Sequence, residues 1–288
     1  MMRRNGLNRR HFLMTAIAGA TVIPIASAAR PALAGPRADL WPRWQQHNAD
    51  STASIDHSIW DDLLKRSVKL DQDGVARFPY ARLSVIDRNS LRLYLEQMAE
   101  TSPSEYNRDQ QFAYWANLYN ALTVQVILDH YPVDTIRDVD ISPGLFANGP
   151  WGKKLTTVED EELSLDDIEH RILRPIWKDP RIHYAVNCAA IGCPNLRQSA
   201  WLAETLDQDL DTAARAYVNN PRGAVIEDGD LTVSRIYDWF IEDFEIDGGI
   251  VSHLRKYAEP ELASNLRQFR RPDGFRYDWS LNEQTESS

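Results

Sequence analysis

The sequence predicts a helix-rich α+β fold, a single domain carrying a small mixed or antiparallel sheet. Two observations predict it. Phe112, Trp115, Ala116, Tyr119, Leu122, Val126 and Ile127 recur at three- and four-residue steps, the mark of a long helix over Arg108–His130 with a buried stripe. Strand-like stretches, by contrast, are short. The clearest are Ala224–Glu227 and Leu231–Val233, which flank the hairpin signal Asp228-Gly229.

From the N-terminal side, Asp39–Val68 reads as one or two amphipathic helices, with Trp41, Trp44, Ile55, Trp60, Leu63 and Leu64 packing inward. Asp71–Gly74 is a turn before a strand-like piece at Val75–Tyr80. Asn89–Ala99 is helical, with Leu91, Leu93, Tyr94 and Met98 toward the core. The long helix ends at Tyr131-Pro132, because the residue before proline avoids helical backbone. Within it Asn117 and Asn120 stand three apart, and asparagine is mildly unfavourable in mid-helix, so the pair invites a reason.

Thr135–Ile141 reads as a strand and Ser142–Lys154 as a Gly/Pro loop around Trp151. Ser164-Leu-Asp-Asp167 matches a capping box that opens a helix through Leu173, which Pro175 interrupts. Arg181–Asn187 alternates as a strand, with His183, Ala185 and Asn187 on one face. Leu202–Val218 is a long helix, Ser234 caps another through Phe244, and one or two more lie between Ile250 and Arg270. Organisation is then an export segment at 1–34, a helical arm or lobe at 35–100, a main domain at 101–282 and a flexible tail at 283–288.

Residues 1–34 read as a targeting segment. Arg3, Arg4, Arg9 and Arg10 precede a mild apolar run, and Asn8-Arg-Arg-His-Phe-Leu13 resembles a twin-arginine signal, which the export machinery reads. Ala26-Ser-Ala28 and Ala32-Leu-Ala34 both suit cleavage; the alternative is an uncleaved amphipathic anchor. No later stretch is apolar enough to span a bilayer, so a periplasmic or secreted mature chain is expected. The formal charge is −10, and removing residues 1–34 takes away five arginines and no acid, leaving −15. Such a balance argues against nucleic acid as partner, since phosphate binding needs a basic footprint. No nucleotide or flavin fingerprint is present, so no cofactor is expected.

Several strings together resemble the family catalogued as domain of unknown function 547. They are Phe112-Ala-Tyr-Trp-Ala-Asn-Leu-Tyr-Asn-Ala-Leu-Thr123, Leu163 to Arg174, His183 to Pro194, Ser234 to Phe244 and Tyr277-Asp-Trp-Ser-Leu-Asn282. The resemblance carries over Asn117, Asn120, Glu169, His170, His183, Asn187, Cys188 and Cys193 as motif residues. It implies no activity.

Chemistry centres on Cys188 and Cys193, the only two cysteines. One reading is a cysteine-dependent hydrolase or acyl transferase acting on a small molecule or peptide. There Cys188 would be the nucleophile and a neighbouring imidazole would lower its pKa. In a straight strand His183 and Cys188 point to opposite faces, so His183 serves only if the chain bends at Asn187 and His170 is the preferred base; the mirror assignment, with Cys193 as nucleophile, is open too. Asn117, Asn120 or Asn187 would orient the imidazole or donate to an oxyanion. A second reading is a non-catalytic binding or scaffolding domain with a structural Cys188–Cys193 disulfide, as an oxidising compartment favours. A third is a thiol–disulfide redox protein. Fainter alternatives are zinc at Glu169, His170 and His183, and an aromatic carbohydrate or peptide groove involving Trp115, Trp239, Tyr237 and Phe240, residues otherwise expected in the core. Asp207, Asp209 and Asp211 read as a solvated helix face.

Overall fold

The computed structural model describes residues 35–144 and 148–284, so the export segment, its cleavage sites and the end of the tail lie outside the described residues. Helices dominate, with two small hairpins and one three-stranded sheet, which is the expected α+β architecture. The N-terminal part holds a 3-10 turn at Pro42–Gln45, helix α1 (Ser58–Ser67), and a two-residue hairpin of β1 (Lys69–Leu70) and β2 (Ala76–Arg77). Helix α2 (Val85–Glu100) starts earlier than expected because the Ser84 hydroxyl accepts the Asp87 amide as an N-cap. Leu91, Tyr94 and Met98 on α2 are buried, but Leu93 faces outward and is 50% exposed.

Helix α3 (Arg108–His130) has the predicted bounds and not the predicted stripe. Nearly every position from Gln110 to Leu128 is buried, so α3 is a central helix wrapped on all sides. Asn107 caps it by accepting the Gln110 amide. Around α3 one hydrophobic core takes in side chains from Trp44 to Leu210, and a second gathers Tyr184, Tyr217, Tyr237, Phe244 and Leu254.

Local hydrogen bonds overturn several of the expected elements. Thr135–Ile141 is no strand but contains a 3-10 turn at Ile136–Asp138, with the Thr135 hydroxyl accepting the Arg137 amide. After the hairpin of β3 (Thr156–Val158) and β4 (Glu161–Leu163), the capping box forms as read: Ser164 Oγ accepts the Asp167 amide and Asp167 Oδ2 accepts the Ser164 amide. Pro175 does not interrupt the helical run that this box opens. A π-helix, Asp167–Leu173, runs straight into α4 (Arg174–Trp177), and Pro175 sits in the first turn of α4, where a proline is tolerated.

Arg181–Asn187 is likewise no strand. Ile182–Ala185 forms helix α5, because Asp179 accepts the Arg181 amide and starts a turn, and the chain extends only at Val186. Leu202 is 39% exposed, and α6 (Leu206–Val218) begins four residues after it.

Strands β5 (Ala224–Glu227) and β6 (Asp230–Ser234) pair antiparallel across Asp228 (φ 52°) and Gly229 (φ 90°), the positive-φ pair of a primed hairpin turn. Strand β7 (Gly274–Arg276) adds parallel to β6, making the sheet mixed. The helix expected through Phe244 breaks at Phe240 into α7 (Ile236–Trp239) and α8 (Ile241–Phe244), followed by α9 (Ile250–Tyr257) and α10 (Pro260–Asn265). Glu283 and Gln284, placed in the tail, pair instead with Phe78. Among the described residues no helix is long and apolar enough to cross a membrane.

Candidate functional site

A cleft of about 430 Å³ opens where the two cores meet. That size suits a drug-sized molecule. One wall is aromatic: Trp151, Trp239, Tyr277 and Trp279 contact one another with ring centroids 4.6 to 5.9 Å apart. The break between α7 and α8 turns Trp239 and Phe240 toward this wall. Both are half-buried, where core positions were expected.

Glu169 and His170 come from the π-helix, His183 from α5, and Cys188 and Cys193 from the loop after it; all five line the cleft. His183 donates through Nε2 to Asp243 Oδ2 at 2.7 Å and stacks on Phe240 at 4.4 Å. The same Asp243 oxygen accepts from Arg174 Nε at 2.6 Å. Burial alone would raise the Asp243 carboxyl, but its bonds from His183 and Arg174 outweigh it and hold the group at about 2. His183 itself is pushed down by burial, against the pull of Asp243.

Glu169 is 7% exposed and lies 3.7 Å from His183 Nδ1. Burial pushes its carboxyl up to about 7 despite the opposing charge of Arg174. Asp166, one turn earlier and half-buried, is raised to about 6 by burial and by the charge of Asp167. The cleft floor thus holds a carboxyl that is protonated for part of the time at neutral pH beside an imidazole fixed by a carboxylate.

His170, the base preferred for Cys188, is engaged by Arg174 instead. Its Nδ1 accepts from Arg174 at 3.0 Å, and burial, then the Arg174 charge, depresses its protonation well below the ordinary range. Cys188 and Cys193 are joined as a disulfide, so the nucleophilic thiol expected at Cys188 is absent in this state. The hydrogen-bonding neighbour of Cys188 Sγ is the Tyr277 hydroxyl at 3.0 Å, not an imidazole. The strand argument that separated His183 from Cys188 also lapses, since α5 replaces the strand.

The asparagines serve the backbone. Asn117 grips Trp201, donating to its carbonyl at 2.8 Å and accepting its amide at 2.9 Å. Asn120 donates to the Ala185 carbonyl at 2.9 Å and accepts the Asn187 amide at 2.8 Å. Asn187 donates to the Pro194 carbonyl and accepts the Ala189 amide, closing the cysteine loop. Trp115 is core, edge-on to Trp44 and Tyr114. None of these four lines the cleft. Among the described residues no cluster of three or more His, Cys, Asp or Glu is arranged to hold a metal ion. Asp207 and Asp211 pair with Arg181, and Asp209 with Arg197, so the acidic face is tied to its neighbours.

Sequence reasoning missed Tyr119, Asp166, Arg174 and Asp243 as site residues. It also left Tyr277 and Trp279 without a role. Asp243, Tyr277 and Trp279 all stood inside strings already singled out, so their polar or aromatic character within those strings was the available signal. No curated protein and no solved structure matches the chain. Residues 103–218 match the model of the family described as protein of unknown function, DUF547, which supports the family resemblance over the stretch that carries α3, Glu169, His170, His183 and both cysteines.

Proposed function

We propose that the cleft binds a compact organic molecule with an aromatic or apolar body and a hydrogen-bonding head, and that Glu169 exchanges a proton with that head. The observation that carries this reading is convergence: Glu169 and His170 from the π-helix, His183 from α5, and Cys188 and Cys193 from the loop after it line one aromatic-walled cleft. A buried carboxyl aimed at nothing in particular would be a cost without return. Here it stands at the floor of a space large enough for a ligand, beside His183 held by Asp243.

In this reading the disulfide is part of the wall, and the thiol–imidazole pair plays no role. The export-type segment and the joined cysteines fit a periplasmic or secreted location, where disulfides persist. Ligand-observed NMR screening of small aromatic amines, alcohols and amides tests the binding. Hits should lose affinity about tenfold or more in Glu169→Gln and in Trp239→Ala, as loss of a buried polar contact or an aromatic face implies. Hits indifferent to both substitutions would place binding elsewhere and remove this reading. Mass measurement of the mature protein tests export: loss of residues 1–28 or 1–34 supports it, and an intact N-terminus opposes it.

A further inference from the structure

The cleft's disulfide is asymmetric. Cys188 is part-exposed on the cleft wall, whereas Cys193 is 4% exposed. Two hydrogen-bond donors point at the buried sulfur: the Cys188 backbone amide, 3.0 Å from Cys193 Sγ, and the Tyr277 hydroxyl at 3.3 Å. The same hydroxyl lies 3.0 Å from Cys188 Sγ, so it bridges both sulfurs. A staple needs neither a place on the wall of a ligand cleft nor two donors on one of its sulfurs.

We propose that Cys188–Cys193 is a thiol–disulfide exchange site, in which a small thiol entering the cleft attacks Cys188 Sγ and expels Cys193. The incoming thiolate forms a bond to Cys188 Sγ as the Cys188–Cys193 bond breaks, and the electron pair leaves on Cys193 Sγ. The Cys188 amide and Tyr277 hydroxyl receive that negative charge, as donors around low-pKa cysteines do. A second thiolate then attacks the outer sulfur of the mixed disulfide. It releases the oxidised small disulfide, leaves Cys188 as a thiolate, and both protein thiolates take up protons. The net change is two small thiols oxidised and one protein disulfide reduced, and the steps run backward for oxidation.

Tyr277 is suited to this role because burial pushes its hydroxyl well above its ordinary value, so it keeps its proton at neutral pH. Donor placement sets the polarity. Attack at Cys193 would leave charge on Cys188, which only Tyr277 contacts, whereas attack at Cys188 leaves it on the sulfur that both donors reach.

The test uses the full chain under native conditions with 2-mercaptoethanol, quenched by alkylation and mapped by peptide mass. The expected products carry the mercaptoethanol adduct on Cys188 and the alkyl group on Cys193. Tyr277→Phe should slow adduct formation about tenfold, the size of one hydrogen bond to a charged sulfur. Loss of packing alone would instead speed the reaction by loosening the loop, so the sign separates the two roles. Should Tyr277→Phe fail to fold, the position of the adduct in the parent chain still decides. Attachment at Cys193, or reaction only after denaturant unfolds the chain, overturns the proposal, as does an unchanged rate in a folded Tyr277→Phe.

Discussion

Glu169 makes a prediction whose sign is the reverse of the usual carboxylate. Its folded value of about 7 lies above its ordinary 4.5, so the folded chain keeps a proton that the unfolded chain releases. Stability from this group is therefore lost as pH rises from about 4.5 to about 7, and is constant above that. Asp166 acts in the same direction between 3.8 and about 6. His170 and His183, both depressed, act oppositely, since their protonation favours the unfolded chain as pH falls. Comparison with a variant isolates Glu169. Glu169→Gln should match the parent in urea unfolding near pH 4.5 and exceed it by roughly 1–3 kcal/mol at pH 8. An equal gap at both pH values would show that burial of the charge is not what strains the site. Replacing Cys188 and Cys193 together by serine should cost about 2 kcal/mol, the chain-entropy value for so short a loop, in the same urea experiment. A loss near zero would mean that the backbone bonds of Asn187 alone fix the loop.

At the scale of elements, α3 acts as a scaffold that holds the site's loops by side-chain amides. Asn117 and Asn120 lie one turn apart on α3, and each pairs with the backbone of another segment through both its donor and its acceptor. Replacing either by leucine keeps the number of side-chain heavy atoms but removes the polar partner: Asn117→Leu strands the Trp201 amide and carbonyl, whereas Asn120→Leu strands the Asn187 amide, the Ala185 carbonyl keeping the Trp201 indole. At about 1–3 kcal/mol per unpaired group, Asn117→Leu should lose roughly 2–6 kcal/mol and Asn120→Leu roughly 1–3 kcal/mol by thermal or urea unfolding. The two should part in function. Asn120→Leu should also weaken cleft ligands, since it frees the Asn187 amide just before Cys188, whereas Asn117→Leu should not. Equal effects on binding would deny Asn120 its link to the loop. The sequence revealed α3 to the residue, and the oddity of two mid-helix asparagines, because both are written in local pattern. It misread 181–187 because alternating Ile182, Tyr184 and Val186 satisfy a strand's period, and the Asp179 cap that turns the backbone lies outside that window. The cleft itself was out of reach: Tyr277 and Trp279 join its wall, and Asp243 reaches His183, only through long-range packing that no local period records.

Across the whole molecule, the C-terminal segment does the joining. Residues 277–284 run from the aromatic wall past the cysteine loop to the N-terminal hairpin. Ile191 donates to the Ser280 carbonyl, Asn282 to Ala189, Phe78 to the Asn282 carbonyl, and Leu281 to Asp134. The fit at the loop is close. A Cβ on Gly192 would stand 2.8 Å from the backbone nitrogen and oxygen of Asp278, so only glycine lets the two strands of chain meet. Asn282, 1% exposed, is the knot: its side chain accepts the Tyr80 hydroxyl at 3.0 Å while its backbone bridges Phe78 and Ala189. One residue, through its side chain and its backbone together, therefore ties the segment before α2 to the cysteine loop beside the cleft wall. Asn282→Ala leaves the Tyr80 hydroxyl unpaired in the core and should cost roughly 1–3 kcal/mol. Hydrogen exchange gives the sharper readout. The amides of Phe78, Ile191 and Leu281, distant in sequence, should all exchange faster, and by a common factor, if they open together. Acceleration confined to residues beside position 282 would show three separate contacts rather than one closure, and the cleft wall would then owe its position to the aromatic packing of Tyr277 and Trp279 alone.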